Sequence, residues 1–146
     1  MDRRTFLFVF SLGALSAPLA AAAQPTGKVY RIGYLGAGSA TVSQPPVEAF
    51  REGLRELGLV EGQNIVIDYR FAEGRFDRLP DLAAELVRLR VDVIVAGPTP
   101  PAIAAKNATG TIPIVVAGVG DPVELGLIAS LAHPGGNVTE IGRAHV

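Results

Sequence analysis

The stretch Asp92–Lys106, DVIVAGPTPPAIAAK, constrains the fold more than any other part of this chain. Val93, Ile94, Val95 and Ala96 form a short, continuous apolar run. Such a run reads as a strand buried on both faces. Gly97, Pro98, Thr99, Pro100 and Pro101 break it, and an Ala-rich helical segment follows. In a parallel α/β sheet, ligands bind at the loops that leave the carboxyl ends of the strands. The same residues therefore bear on both the fold and the candidate site.

The pattern repeats on either side. Val29–Leu35 reads as a first strand and Gly36–Pro46, GAGSATVSQPP, as a long loop of small and hydroxyl residues. Val47–Leu57 reads as a helix whose buried face holds Val47, Phe50, Leu54 and Leu57. Gly58 ends it. Asn64–Phe71 alternates: Ile65, Ile67, Tyr69 and Phe71 lie on one side, and Val66, Asp68 and Arg70 on the other. That pattern fits a half-exposed strand at a sheet edge. Asp77 is the expected cap of a second helix running to about Arg90, with Phe76, Leu79, Leu82, Ala83, Leu86 and Leu89 as its buried stripe. Pro80 is tolerated in the first turn. A third helix spans about Pro100–Ala108, and Ile112–Ala117 is a fourth buried strand. Asp121 and Pro122 suit the cap and first position of a fourth helix, reaching about Leu131. Val138 begins a fifth strand.

Repeated β-α units predict a doubly wound parallel α/β sheet with right-handed crossovers. With the second strand at the edge, the order is 2-1-3-4. Strands one and three are then neighbours whose connections leave in opposite directions. The crevice between their exit loops, Gly36–Pro46 and Gly97–Pro101, is the topological switch point.

Composition narrows the function. The chain has 146 residues, 49% of them apolar, and a net charge of −1. It is long enough for one domain or one lobe of a larger protein. A near-neutral charge with no internal basic run argues against a nucleic-acid partner. Cysteine is absent, which removes disulfides, thiolate metal sites and cysteine nucleophiles. The two histidines, His133 and His145, lie near the carboxyl end, so a His-based metal or catalytic centre is not expected. No cofactor is expected.

Residues 1–23 read as an export signal. Arg3 and Arg4 precede an apolar segment from Phe6, and Ala20–Ala23 offer a cleavage site before Gln24. The Arg-Arg-Thr-Phe-Leu run resembles a twin-arginine signal. Phe6–Ala23 is also about long enough for an uncleaved anchor, but Gly13, Ser16 and Pro18 weaken that helix. Cleavage leaves 11 basic and 13 acidic residues.

Each candidate site residue has a plainer alternative role. Gly36-Ala37-Gly38-Ser39-Ala40-Thr41 lacks the third glycine of the dinucleotide fingerprint, and Tyr69-Arg70-Phe71 stands where an acidic ribose contact belongs. The loop is either a cradle of N–H groups and the Ser39, Thr41 or Ser43 hydroxyls, or a plain connection. Thr99 either caps the third helix or adds a ligand contact at its N-terminus. Three neighbouring prolines remove donors there. Asp121 is a helix cap or an acceptor for an amine. No nucleophile-base-acid set is visible, so the chain does not read as an enzyme. Asn107-Ala108-Thr109 and Asn137-Val138-Thr139 match the glycosylation sequon, which carries little weight behind a bacterial-type export signal.

The runs RIGYLGAG, FREGLRELGLVEGQNIVIDYRFAEG, LPDLAAELVRLRVDVIVAG and IPIVVAGVGDPVELGLIASLAHPGGNVT resemble the substrate-binding proteins of a bacterial ABC uptake family. Its members are often labelled uncharacterised or tryptophan/tyrosine-type transporters. The resemblance covers about Val29–Thr139. It implies the N-terminal lobe of a type I periplasmic binding-protein fold, in residues 24–139. Two such lobes close over a small, amino-acid-like ligand and dock on a membrane ABC permease. It also implies a periplasmic location and a monomer when full length. By motif match, the ligand-facing residues are Gly36, Ser39, Pro98, Thr99, Gly118 and Asp121. Doubled Pro100-Pro101 departs from the family's Thr-Pro-Ala turn. The family continues past Thr139 into a second lobe, whereas Glu140–Val146, EIGRAHV, resembles a translated sequencing adapter and is expected to be a non-native tail. The alternatives to transport are an effector- or nucleotide-binding sensory domain and a flavodoxin-like enzyme domain.

Overall fold

The computed structural model of the chain describes residues 27–129 and 135–141. The expected export signal, the residues around His133 and the last five residues lie outside the described residues.

Five strands form one parallel sheet: β1 (Tyr30–Gly36), β2 (Ile65–Phe71), β3 (Val93–Gly97), β4 (Ile114–Val116) and β5 (Val138–Glu140). The order is β2-β1-β3-β4-β5, the expected 2-1-3-4 order with the fifth strand added beside β4. Helices α1 (Gln44–Glu56), α2 (Leu79–Arg88) and α3 (Thr99–Ala108) connect them. The molecule is thus the doubly wound parallel α/β sheet that the repeated β-α pattern predicts.

Alternation along the strands divides the core. Leu35, Ile94, Ala96, Ile114 and Val116 face α2 and α3, where they meet Leu82, Ala83, Leu86, Ala102 and Ala105. Ile32, Ile65 and Ile67 face the other way, and Phe50, Leu54 and Leu59 pack on them. Gly33 gives Leu86 its room, since a Cβ there would lie 3.0 Å from that side chain. The edge strand β2 is charged on its α2 side. Asp68 accepts from the Arg31 guanidinium at 2.5 and 3.2 Å, and Arg70 donates to Glu85 at 2.7 Å. Charged edges discourage further strand pairing.

Several expectations are corrected at element ends. Helix α1 starts three residues early, because Pro45 and Pro46 fit a first turn that needs no N–H partners. It stops at Glu56, and Gly58 turns the chain with φ +81°. Leu57 therefore leaves the buried face and is 77% exposed. Asp77 does not cap α2. It lies in a 3-10 turn, Phe76–Arg78, and makes no capping hydrogen bond. The change of helix type rotates Phe76 out of the stripe to 55% exposure. The fourth helix is absent among the described residues. Pro122–Gly126 makes one turn only, in which Leu125 N–H donates to Asp121 C=O. Gly126 then enters the left-handed region at φ +69°, a conformation that ends helices. Glu140 closes β5 opposite Val116, and Ile141 N–H donates to Val116 C=O at 3.0 Å.

Candidate ligand crevice at the strand ends

Because all five strands are parallel, their exit loops gather at one end of the sheet. Register sets Gly36 of β1 beside Gly97 of β3, so the two switch-point loops start from adjacent residues. They leave toward opposite faces, one into α1 and the other into α3. An open crevice between such loops is the ligand position in doubly wound sheets.

The β1 loop is tied down on its β2 side. Gly36, Ala37 and Gly38 carbonyls accept from Ala72, Gly74 and Glu73 amides at 3.0, 2.8 and 3.1 Å. Ser39 organises the other half. Its Oγ accepts from Val42 N–H at 3.2 Å, and its carbonyl accepts from Ser43 N–H at 2.9 Å. The Ser39 hydroxyl keeps its own proton to donate.

The β3 and β4 loops interlock. A Cβ on Gly97 would collide with the Ala117 carbonyl oxygen, so only glycine allows this approach. The Gly97–Pro98 peptide is cis, and Pro98 occupies the N-cap position of α3. Thr99 is the first helical residue and not the cap. Its Oγ1 accepts from Gly120 N–H at 3.4 Å and thereby links α3 to the β4 loop. Its proton also remains available. Gly118 turns that loop at φ +68°. Asp121 is a cap: Oδ1 accepts from Val123 and Glu124 amides at 2.9 and 3.2 Å. Of the six residues expected to face a ligand, Gly36 thus ends β1, Ser39 lies in the loop after it, Pro98 and Thr99 open α3 directly after β3, and Gly118 and Asp121 lie in the loop after β4. Asp121, exposed and engaged in capping, is the most committed to structure. Asn137 of the second sequon bridges Thr109 and Ile112 carbonyls at 3.1 and 2.7 Å, a structural use of its amide.

Of the aromatic cluster beside Gly36, the sequence points only to Tyr34, as the one ring near the first strand's exit that could stack on an aromatic ligand. Tyr34 lies 5.7–6.0 Å from Phe50, Tyr69 and Phe71, and Tyr69 stacks on Phe71 at 6.1 Å with planes 10° apart. The alternation of β2 carried the signal, since it puts Tyr69 and Phe71 on one face. Burial raises the Tyr34 phenol. Tyr69 is pushed up to about 12 by burial and then by Glu61, to which its O–H donates at 3.1 Å. Arg51 partly offsets this and itself pairs with Glu61 at 2.9 Å.

Among the described residues, three hollows lie away from the crevice. One of about 230 Å³ runs between α1 and β2, one of about 380 Å³ between α2 and α3, and one of about 370 Å³ beside the start of β5, lined by Lys106, Gly126 and Asn137. Among the described residues, no group of three or more His, Asp or Glu side chains could hold a metal ion.

Comparison with known proteins agrees with the fold. A family model described as ABC transporter substrate binding protein matches residues 41–145. A curated relative, the tyrosine-binding protein of Clostridioides difficile (strain R20291), is 40% identical over 105 residues. That match covers 69% of this chain and 30% of the relative. The ligand-free, open structure of a substrate binding protein with adhesive properties from Clostridium difficile is 34% identical with a TM-score of 0.72. A structure from Streptococcus pneumonia in complex with L-Trp is 30% identical with a TM-score of 0.69. These cover 77% and 78% of this chain, which in turn spans 38% of each. With a family match over most of its length and a fold shared with its solved members, the chain belongs to the ABC transporter substrate-binding proteins.

Proposed function

We propose that this chain is the ligand-capturing lobe of an exported substrate-binding protein, serving an ABC-type uptake system. Its ligand is a small amino-acid-like molecule, and the names of two relatives, one tyrosine-binding and one holding L-Trp, favour an aromatic amino acid. The observation that supports the reading is the switch point itself: the ends of β1 and β3 lie side by side, and the Ser39 and Thr99 hydroxyls stand in the segments that leave them. Gly36, Pro98 and Gly118 shape the loops, and Asp121 holds the third loop in place. The lobe supplies one wall of the site. It performs no catalysis and needs no cofactor. Residues 1–23 direct export to the periplasm, and the full-length protein works as a monomer that hands its ligand to a membrane permease.

A single lobe binds weakly, so ligand-observed NMR is the suitable assay. The chain is screened against the twenty amino acids, a purine nucleoside and a nucleotide. Saturation transfer to amino acids, strongest for Tyr, Trp or Phe and reduced at least threefold in Thr99→Val, supports the reading. Transfer to the nucleotide alone, or to none of the set, sinks it.

A further inference from the structure

The last row of residues at the crevice end of the sheet is uneven. Register aligns Phe71, Gly36 and Gly97 across β2, β1 and β3, all on the face that α1 covers. The phenyl ring is therefore the one side chain in that row of three. Behind it stand Tyr69, Tyr34 and Val95. Phe71 leans over Gly36, where an added Cβ would sit 2.9 Å from its Cδ1 and 3.5 Å from Tyr34 Cε1. The loops bearing Ser39 and Thr99 spring from Gly36 and Gly97, so the ring borders the ground between them. It is only half-buried and keeps some surface open.

Ring packing against α1 does not explain this placement. The ring of α1, Phe50, meets Tyr34, whereas both ring partners of Phe71 belong to the sheet. The position itself faces ligands in doubly wound sheets. In their dinucleotide-binding form, an acidic residue near the end of the second strand reads a ribose hydroxyl. A carboxylate there selects polar groups, and a phenyl ring selects flat apolar ones.

We infer that Phe71, backed by Tyr69 and Tyr34, is a specificity-determining residue of the crevice. It meets the side chain of the bound amino acid and favours a planar ring over an aliphatic chain. The inference rests on the proposed ligand crevice. Ring–ring contact adds to simple burial by a factor of roughly three to ten in affinity.

The test compares L-phenylalanine with L-leucine on the full chain by NMR titration, in the unsubstituted protein, Phe71→Leu and Phe71→Tyr. The expected result is a fall of about threefold to tenfold in the phenylalanine-to-leucine preference for Phe71→Leu. Phe71→Tyr should keep the preference, and leucine binding should hardly change. An unchanged ratio, or equal weakening of both ligands, overturns the inference while leaving the capture reading intact. Absence of any amino-acid binding by the unsubstituted chain overturns both. Thermal unfolding checks the fold of each variant, and Phe71→Ile gives the same comparison should the leucine variant unfold.

Discussion

Gly97 shows how one residue sets the geometry of the crevice. Its missing Cβ lets the Ala117 carbonyl come against the β3 backbone, and Thr99 then reaches Gly120. Gly97→Ala must push the two loops apart, a cost of about 1–3 kcal/mol by the usual scale of overpacking. A lower unfolding midpoint in urea, with the slope unchanged, is the expected result. An unaltered midpoint would mean that the β4 loop shifts freely. Tyr69 offers a second test at this scale. Its phenol is raised to about 12 by burial and by Glu61, while an unfolded tyrosine titrates near 10. Raised folded pKa means that the stabilisation is fully present below about pH 10 and disappears as pH rises towards 12. Stability measured across that window should fall less steeply in Tyr69→Phe than in the unsubstituted chain. Equal slopes would show that Tyr69 ionises without resistance.

Among elements, the helices separate what periodicity can and cannot reveal. The stripe Leu79, Leu82, Ala83 and Leu86 was legible because a 3.6-residue repeat puts those side chains on one face, and all four are buried. Leu57 and Phe76 obeyed the same repeat yet stand exposed, since the repeat does not say where a helix ends or becomes a 3-10 turn. Capping by Asp121 was legible from Asp-Pro, but the early stop at Gly126 depends on a local left-handed conformation that competes with helix continuation. Leu86→Ala should therefore cost about 2–5 kcal/mol and Leu57→Ala less than about 0.5 kcal/mol. Paired urea titrations decide this, and similar losses for the two would contradict the assigned faces. The candidate crevice was legible for a related reason. Parallel strands must release their loops at one end, so Gly36 and Thr99 could be paired without coordinates. Contacts across strands, such as Phe71 over Gly36 or Gly97 under Ala117, depend on exact register and could not.

At the scale of the whole molecule, the two faces of the sheet are unequally held. Helix α2 buries four residues, and α3 adds Pro101, Ala102, Ala104 and Ala105 on the same side. Helix α1 buries Val47 alone, with Phe50 and Leu54 half-buried, and carries Gly53 in its interior. Each fully buried large apolar side chain contributes roughly 1.5–3 kcal/mol, and an interior glycine costs about 1 kcal/mol relative to alanine. Of the three helices, these differences make α1 the one expected to open first. Its amino end is also the anchor of the Gly36–Ser43 loop, so the proposed ligand-facing wall sits on the weaker layer. Native-state hydrogen exchange should show amides of Glu48–Glu56 exchanging at least tenfold faster than those of Ala83–Arg88. Adding a ligand that bridges the β1 and β3 loops should slow α1 selectively, because opening α1 would release the bound molecule. Uniform exchange across both helices would instead make the lobe a single cooperative unit. Slowing confined to α2 and α3 would move ligand capture away from the switch point.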